Sequence, residues 1–249
     1  MLNVPRVLVV ETQALVPIGS LEPALRDAGI KLITWRPAHD PPPRTLEGIS
    51  GLIALGGAAN PDQDEEYPWL SAERDLLDQA LERNVPTVGI CLGAELLAQV
   101  IGARMVRLPE PEIGWRDLPL EPAAAGDPLC SQSAPHVPAF HWHSYGFDCP
   151  PGATVLSRTA AGTQIFRWND LAWAFQFHLE ANKAVVASWL RRYRDVLRAH
   201  RIDDAQLRQQ TELRDAQYVR QAVRIGRRFS RLVKAYARRP PRATYGVIG

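Results

Sequence analysis

A chain of 249 residues, 46% hydrophobic and 22% charged, is long and apolar enough to close one sizeable α/β core, with or without an appendage. Its formal net charge of +2 excludes a polyionic protein, and no apolar run approaches the length of a membrane span. Three cysteines (Cys91, Cys130 and Cys149) make no paired framework and no Cys-x-x-Cys metal motif, and an odd count suits a reducing cytoplasm.

Taken in order, Met1 to Arg6 lacks a charged segment followed by a long apolar stretch, so no signal peptide is expected and a cytoplasmic location is. Arg6 to Val10 reads as a strand, Leu15 to Ala28 as a helix stopped by Gly29, and Ile30 to Trp35 as a second strand. The breaker-rich run Pro37 to Pro43 is a loop. Ser50 to Leu55 is a third strand ending in Gly56-Gly57, and an acidic loop, Asp62 to Glu66, leads into a helix over Ser71 to Arg83. Thr87 to Ile90 is a fourth strand. The alternation predicts a doubly wound, mostly parallel sheet with helices on both faces, its ligand site outside the carboxyl ends of the strands.

After that fourth strand comes Gly89-Ile90-Cys91-Leu92-Gly93, and a helix-period apolar pattern follows at once. Two glycines flanking Cys91 suit a cramped strand–turn–helix elbow, on which a thiol stands above the strand end with the first helix amides beneath it. The helix N-terminus favours the thiolate, the attacking form of cysteine. A buried structural cysteine beside turn glycines fits the same residues. Gly56-Gly57 offers bare backbone N–H groups which, with the amide of Leu92, would suit an oxyanion, although a plain turn also fits.

Beyond Gly102, short extended segments follow one another: Arg104–Leu108, Gly114–Leu120, His141–Phe147, Thr154–Arg158, Thr163–Arg167 and Leu171–Phe177. They are expected as antiparallel strands added beside the parallel sheet. The last runs into Gln176-Phe177-His178-Leu179-Glu180, where two-residue spacing on a strand would turn an imidazole and an orienting carboxylate to one face. A surface His–Glu pair would look the same in isolation. His141 and His143 are also two apart and suit metal ligation, but no third ligand stands near them in sequence, which favours a polar aromatic segment bordering the pocket.

The tail reads as amphipathic helices from Asn182 to Arg239, with a loose end at Pro240-Pro241-Arg242. Residues 1–180 carry 12 Lys/Arg against 22 Asp/Glu, whereas 181–249 carry 17 against 5. No nucleic-acid-binding motif accompanies the basic tail, so its arginines are expected to coat the solvent face of helices or to dock on the acidic body. Residues 1–199 are read as the main domain, and 200–249 as a basic helical extension packed on or beside it.

Gly-Ile-Cys-Leu-Gly, Gln-Phe-His-x-Glu and the upstream Leu-Gly-Gly together resemble the class I glutamine amidotransferase family of the Cys-His-Glu type. Tyr-Pro-Trp-Leu (67–70), Glu-Ile-Gly-Trp (112–115) and Phe-His-Trp-His (140–143) resemble its stand-alone, GMP-synthase-like bacterial members. The resemblance runs in order over residues 4–235. It implies a flavodoxin-like sheet, Cys91 as nucleophile, His178 as general base oriented by Glu180, and the amides of Gly57 and Leu92 as the oxyanion hole. It further implies cleavage of a γ-glutamyl amide through a thioester, with neither metal nor organic cofactor.

Two positions depart from the family pattern. Glu95 stands where most glutamine-using relatives have Gln, as it does in folylpoly-γ-glutamate hydrolases. Ser144-Tyr145 stands where relatives read Gly-Asp after the histidine corresponding to His143. Glu95, His143, Ser144 and Tyr145 are therefore the expected substrate-binding set, with amino-acid recognition altered. The leading expectation is a glutaminase that supplies ammonia to a separate synthetase partner. The alternatives are a γ-glutamyl peptidase or hydrolase, and a catalytically weak binding or regulatory subunit. Neither nucleic acid nor membrane is expected as a partner.

Overall fold

The computed structural model describes residues 4–131 and 135–239. A seven-stranded sheet has the order β2-β1-β3-β4-β9-β8-β7. Its strands are β1 (Arg6–Val10), β2 (Lys31–Trp35), β3 (Gly51–Ala54), β4 (Thr87–Ile90), β7 (Ala153–Thr159), β8 (Gly162–Trp168) and β9 (Ala172–Phe175). Strands β2, β1, β3, β4 and β9 are parallel, and β8 and β7 close one edge in antiparallel fashion. Every residue of β3, β4 and β9 is buried, as continuous apolar runs are when helices cover both faces. This is the expected flavodoxin-like arrangement.

Alternation along the strands divides the core in two. Val7, Val9, Ile53, Val88, Trp173 and Phe175 face one apolar cluster, while Leu8, Val10, Leu52, Ala54, Ala172 and Ala174 face the other. The second cluster is covered by α2 (Trp69–Glu82) and α3 (Leu92–Val100). The first is covered by α1 (Glu22–Asp27), α4 (Lys183–Arg192), a short α5 (Arg194–Ala199) and the 34-residue α6 (Asp204–Ala237).

Three features differ from the expectations. The helix expected over Leu15 to Ala28 is a 3-10 turn, Gly19–Leu21, followed by the six-residue α1. Gly19 has φ +51°, outside the α region, and Pro23 at the start of α1 suits a helix beginning there. Of the segments expected as antiparallel, β7 and β8 join the main sheet so, whereas Leu171–Phe177, as β9, joins it parallel to β4. The segments Arg104–Leu108 and Gly114–Leu120 are one long strand, β5 (Met105–Pro119), which pairs with β6 (His136–Phe147) in a separate ribbon. Finally, β9 stops at Phe175, so His178 and Glu180 lie past a bend at Gln176-Phe177, Glu180 in a turn, rather than on a strand.

Helix α6 is an inner layer for half its circumference. Tyr218, Ala222, Ile225, Phe229 and Val233 enter the same cluster as β1, β3 and β4. Gly226 lets α6 cross α1 closely, since a Cβ there would lie 3.0 Å from that of Ala24. Each large apolar side chain so buried contributes about 1.5–3 kcal/mol, against about 0–1 kcal/mol for an exposed ion pair such as Arg214–Asp117. The apolar stripe, not the charge, holds the tail down. Arg220, Arg224, Arg227 and Arg231 face solvent. The end at Pro240-Pro241-Arg242 lies outside the described residues.

Glu73 of α2 is completely buried, and neither carboxylate oxygen has a hydrogen-bond partner. Burial pushes its pKa up from 4.5 to about 8, against the opposing charge of Arg74. The folded chain therefore keeps a proton that the unfolded chain has released. Stability contributed by this group is full below the unfolded pKa and falls as pH rises towards about 8, by up to roughly 1.4 kcal/mol per pH unit. In urea unfolding across this window, Glu73→Gln is expected to remove that part of the slope and leave the variant the more stable form at alkaline pH.

Candidate active site

The site is assembled by one strand pairing. Parallel β4 and β9 run in register from Thr87↔Ala172 to Ile90↔Phe175, and the Cys91 N–H donates to the Phe175 carbonyl at 2.8 Å. The first residues past both strands are thus side by side, and His178 follows within three residues of Phe175.

Cys91 begins α3 with φ +51° and ψ −112°, a conformation that a residue with a Cβ adopts only under constraint. The constraint is close packing. A Cβ on Gly89 would fall 2.5 Å from the Gly93 carbonyl oxygen, and one on Gly93 would run into the Ala54 carbonyl of β3. Gly56 is equally confined, since its Cβ would lie 2.8 Å from His178 Cε1 and 3.3 Å from Cys91 Cβ. Gly57 and Leu92 adjoin one another, with 3.3 Å between the position of a Gly57 Cβ and Leu92 Cδ2. Thr12 Oγ1 donates to the Gly56 carbonyl at 2.7 Å and fixes that turn.

His178 Nδ1 and Glu180 Oε1 are 2.7 Å apart, both side chains being buried. The turn holding them is tied on both sides. The His178 N–H donates to the Phe140 carbonyl at 2.9 Å, the Ser20 N–H donates to the Glu180 carbonyl at 2.8 Å, and Tyr218 of α6 donates its hydroxyl to the His178 carbonyl at 2.8 Å. The Trp189 ring packs edge-on against the imidazole, 4.5 Å between centroids. With Nδ1 committed to Glu180, Nε2 is left for the thiol. Burial alone would lower the imidazole pKa, but Glu180 and Cys91 outweigh it and carry it well above the ordinary value. Burial pushes the Cys91 thiol up, against the charge and hydrogen bond of His178 that pull it down.

A pocket of about 220 Å³ opens on these groups. Cys91, His178, Gly57 and Leu92 line it, as do Glu95, His143, Ser144 and Tyr145. All the expected residues except Glu180, which sits behind His178, therefore reach one cavity. Glu95 is buried, accepts from Gln176 Nε2 at 2.9 Å, and has its pKa raised by burial to about 7. Tyr145 donates its hydroxyl to Asp62 of the acidic loop at 2.8 Å. No Lys or Arg lies among the described lining residues.

The sequence reading missed the apolar wall of Trp142, Trp189, Tyr193 and Val196. Tyr193 had a signal, its place on the apolar stripe of the tail. The reading also missed a partner for the two histidines. Register sets Glu112 of β5 opposite His143, and Glu112, His141 and His143 form a three-residue group with ligand atoms within 4.8 Å of one another. Burial, with His143 adding to it, pushes the His141 pKa down to about 3, so this ring is neutral at physiological pH.

Tyr218 also accepts from the Phe140 N–H at 3.3 Å, so one hydroxyl joins two strands of backbone to α6. Tyr218→Phe should leave that N–H and the His178 carbonyl one partner short, lowering unfolding free energy by about 1–3 kcal/mol. Denaturant titration checks this, with the m-value expected to stay unchanged.

Residues 18–190 match the family described as Glutamine amidotransferase class-I. A glutamine amidotransferase-like protein of Salmonella typhimurium, YfeJ, is 30% identical over 142 residues, 55% of this chain and 59% of that one. The glutamine-hydrolysing GMP synthase subunit of Thermoplasma acidophilum is 39% identical over 69 residues, 28% of this chain and 32% of that subunit. The matches thus span about a third to three-fifths of these curated relatives. Among solved structures, a glutamine amidotransferase from Thermotoga maritima superposes with a TM-score of 0.83 at 26% identity, covering 91% of this chain and 98% of its own. One from Methylobacillus flagellatus gives 0.82 at 26% identity, covering 92% and 95%. With a family match over most of its length and a fold shared with these structures, the chain belongs to the class I glutamine amidotransferases.

Proposed function

We propose that the chain hydrolyses the γ-amide of a γ-glutamyl compound through a thioester on Cys91. The observation that carries this reading is the positive-φ cysteine at the mouth of a pocket, served by an imidazole that a buried carboxylate holds at 2.7 Å. Cys91 Sγ attacks the carbonyl carbon while His178 holds the thiol proton, and the backbone amides of Gly57 and Leu92 receive the oxyanion. His178 then protonates the departing nitrogen as the C–N bond breaks. Water, deprotonated by the same imidazole, attacks the thioester, and the C–S bond breaks to free the carboxylate. Glu180 keeps Nδ1 protonated and stabilises the imidazolium.

Glutamine with ammonia passed to a separate synthetase is the leading form of the reaction, supported by relatives named as synthase subunits. A second form acts on γ-glutamyl compounds other than glutamine. The observation favouring it is the anionic recognition end, where Glu95 and the Tyr145–Asp62 pair stand with no cation among the described lining residues. Ionised Glu95 would pair with an α-ammonium and repel an α-carboxylate.

Incubation with glutamine and a panel of γ-glutamyl amides, scored by released glutamate, tests both forms. Cys91→Ala should abolish release, and Glu180→Gln should lower kcat by about 10²–10⁴-fold with little change in KM. Release from glutamine selects the first form, and release only from other amides selects the second. Absence of release in every case, with or without a synthetase, would overturn the hydrolase reading.

The pH dependence separates the role of Glu95. Its pKa of about 7 makes it neutral below that pH and anionic above it. KM for a substrate bearing an α-ammonium is therefore expected to fall as pH rises through about 7. Glu95→Gln should flatten KM against pH while leaving the kcat profile, which follows His178, in place.

A further inference from the structure

The ribbon β5–β6 brings three donor atoms together from positions 29 and 31 residues apart in sequence. On β6, period-two alternation sets His141 and His143 on one face. The β5–β6 register resumes, after an irregularity following Arg107, with Glu112 directly opposite His143. His141 Nδ1 and His143 Nε2 are 3.1 Å apart, His143 Nε2 and Glu112 Oε2 3.2 Å, and His141 Nδ1 and Glu112 Oε2 3.8 Å.

We propose that Glu112, His141 and His143 bind one divalent transition-metal ion, with zinc the best match to two imidazoles and a carboxylate. Four ligands at about 2.0–2.2 Å around a tetrahedral ion stand roughly 3.3–3.6 Å from one another, which the three observed separations bracket. Cis ligands around an octahedral magnesium ion at about 2.1 Å stand closer, near 3.0 Å, and that ion prefers oxygen.

Hydrogen-bond accounting points the same way. His143 Nδ1 lies 2.7 Å from the Tyr145 carbonyl, so it carries the proton and Nε2 presents a lone pair. A backbone carbonyl that fixes a ring in this way is the usual outer partner of a metal-bound histidine. That lone pair faces the carboxylate oxygen Oε2 of Glu112, which is buried without a hydrogen bond despite the 3.2 Å approach. One proton between His141 and His143 satisfies the imidazoles, and without a cation Glu112 is served only if His143 carries a second proton and donates it across the 3.2 Å gap. A cation satisfies all three atoms at once. His141 Nε2 meets no acceptor, so ligation through Nδ1 requires the proton shared with His143 to move to Nε2, where no contact opposes it.

Access is open, because Glu112 is partly exposed and His143 lines the pocket. The positive charge of Arg116 acts on the same cluster and opposes a cation, so micromolar rather than picomolar affinity is expected. The ion would act as a clamp. His141 and His143 flank Trp142, whose carbonyl accepts from Cys91 Sγ at 3.8 Å, so fixing the two rings fixes the backbone against which the thiol rests.

The site does not rest on the hydrolase reading, and its test needs no substrate. The chelator-treated full chain is titrated with zinc chloride by calorimetry, and with cobalt(II) chloride by visible absorption. Cys91→Ala, Glu112→Gln and His141→Asn are titrated in parallel. One equivalent of zinc is expected, with Kd micromolar or tighter. Cys91→Ala should retain it, and Glu112→Gln should weaken it about tenfold or more. Bound cobalt should show d–d bands without a strong near-ultraviolet thiolate band. Glu112→Gln decides the matter if His141→Asn fails to fold, since Glu112 is partly exposed and Gln keeps its shape. No stoichiometric binding, binding lost with Cys91, or a smaller change in Glu112→Gln would overturn the proposal.

Discussion

The pairing of β4 with β9 is the constraint on which the rest of the site depends. Each strand contributes four residues, and their common register ends at Ile90 and Phe175. Past that point the two chains part, one into the elbow at Cys91 and the other into the bend before His178. A one-residue slip would turn every side chain of a strand to the opposite face and separate the two groups. The glycines around the elbow serve this pairing, because α3 could not start so close to β3 with a Cβ at position 93. Strain at Cys91 persists because the packing around it leaves no alternative conformation.

Burial sets the electrostatics of the site. Glu180 is shut away behind His178 with one ring nitrogen as its partner, and in that dry setting a carboxylate raises an imidazole far more than it would in water. The same dryness raises Glu95, outweighing the Gln176 amide and the two histidines that favour its anion. Helix α6 belongs to this arrangement through the hydroxyl of Tyr218, so the basic tail buttresses the turn holding His178 and Glu180 from outside the family match at residues 18–190.

Glu95, Ser144 and Tyr145, singled out in the sequence, all line the pocket. Tyr145 reaches Asp62, so a carboxyl group from the acidic loop stands behind that residue. Another part of the lining is aromatic, with Trp142, Trp189 and Tyr193 packed on one another. A pocket with carboxyl groups at one part of its lining and aromatic rings at another selects ligands by charge and by apolar bulk.

Local features were legible in the sequence. Apolar runs, breakers and the flanking glycines marked β1, β3, β4, α2 and the elbow, and the two-residue spacing marked His178 and Glu180 as partners, because each depends on neighbours a few residues away. The reason given for that partnership needed revision, since a turn rather than a strand brings the two side chains together. The apolar stripe of the tail likewise foretold the buried face of α6. Only the tertiary structure decided that β9 lies between β4 and β8, that β5 and β6 leave the sheet as a ribbon, that Glu112 faces His143, and that Asp62 reaches Tyr145. These depend on register between segments far apart in the chain, about which spacing says nothing. The pKa values of Glu73, Glu95 and His178 were beyond the sequence for a related reason: they follow from how completely the folded chain excludes water, which no residue carries alone.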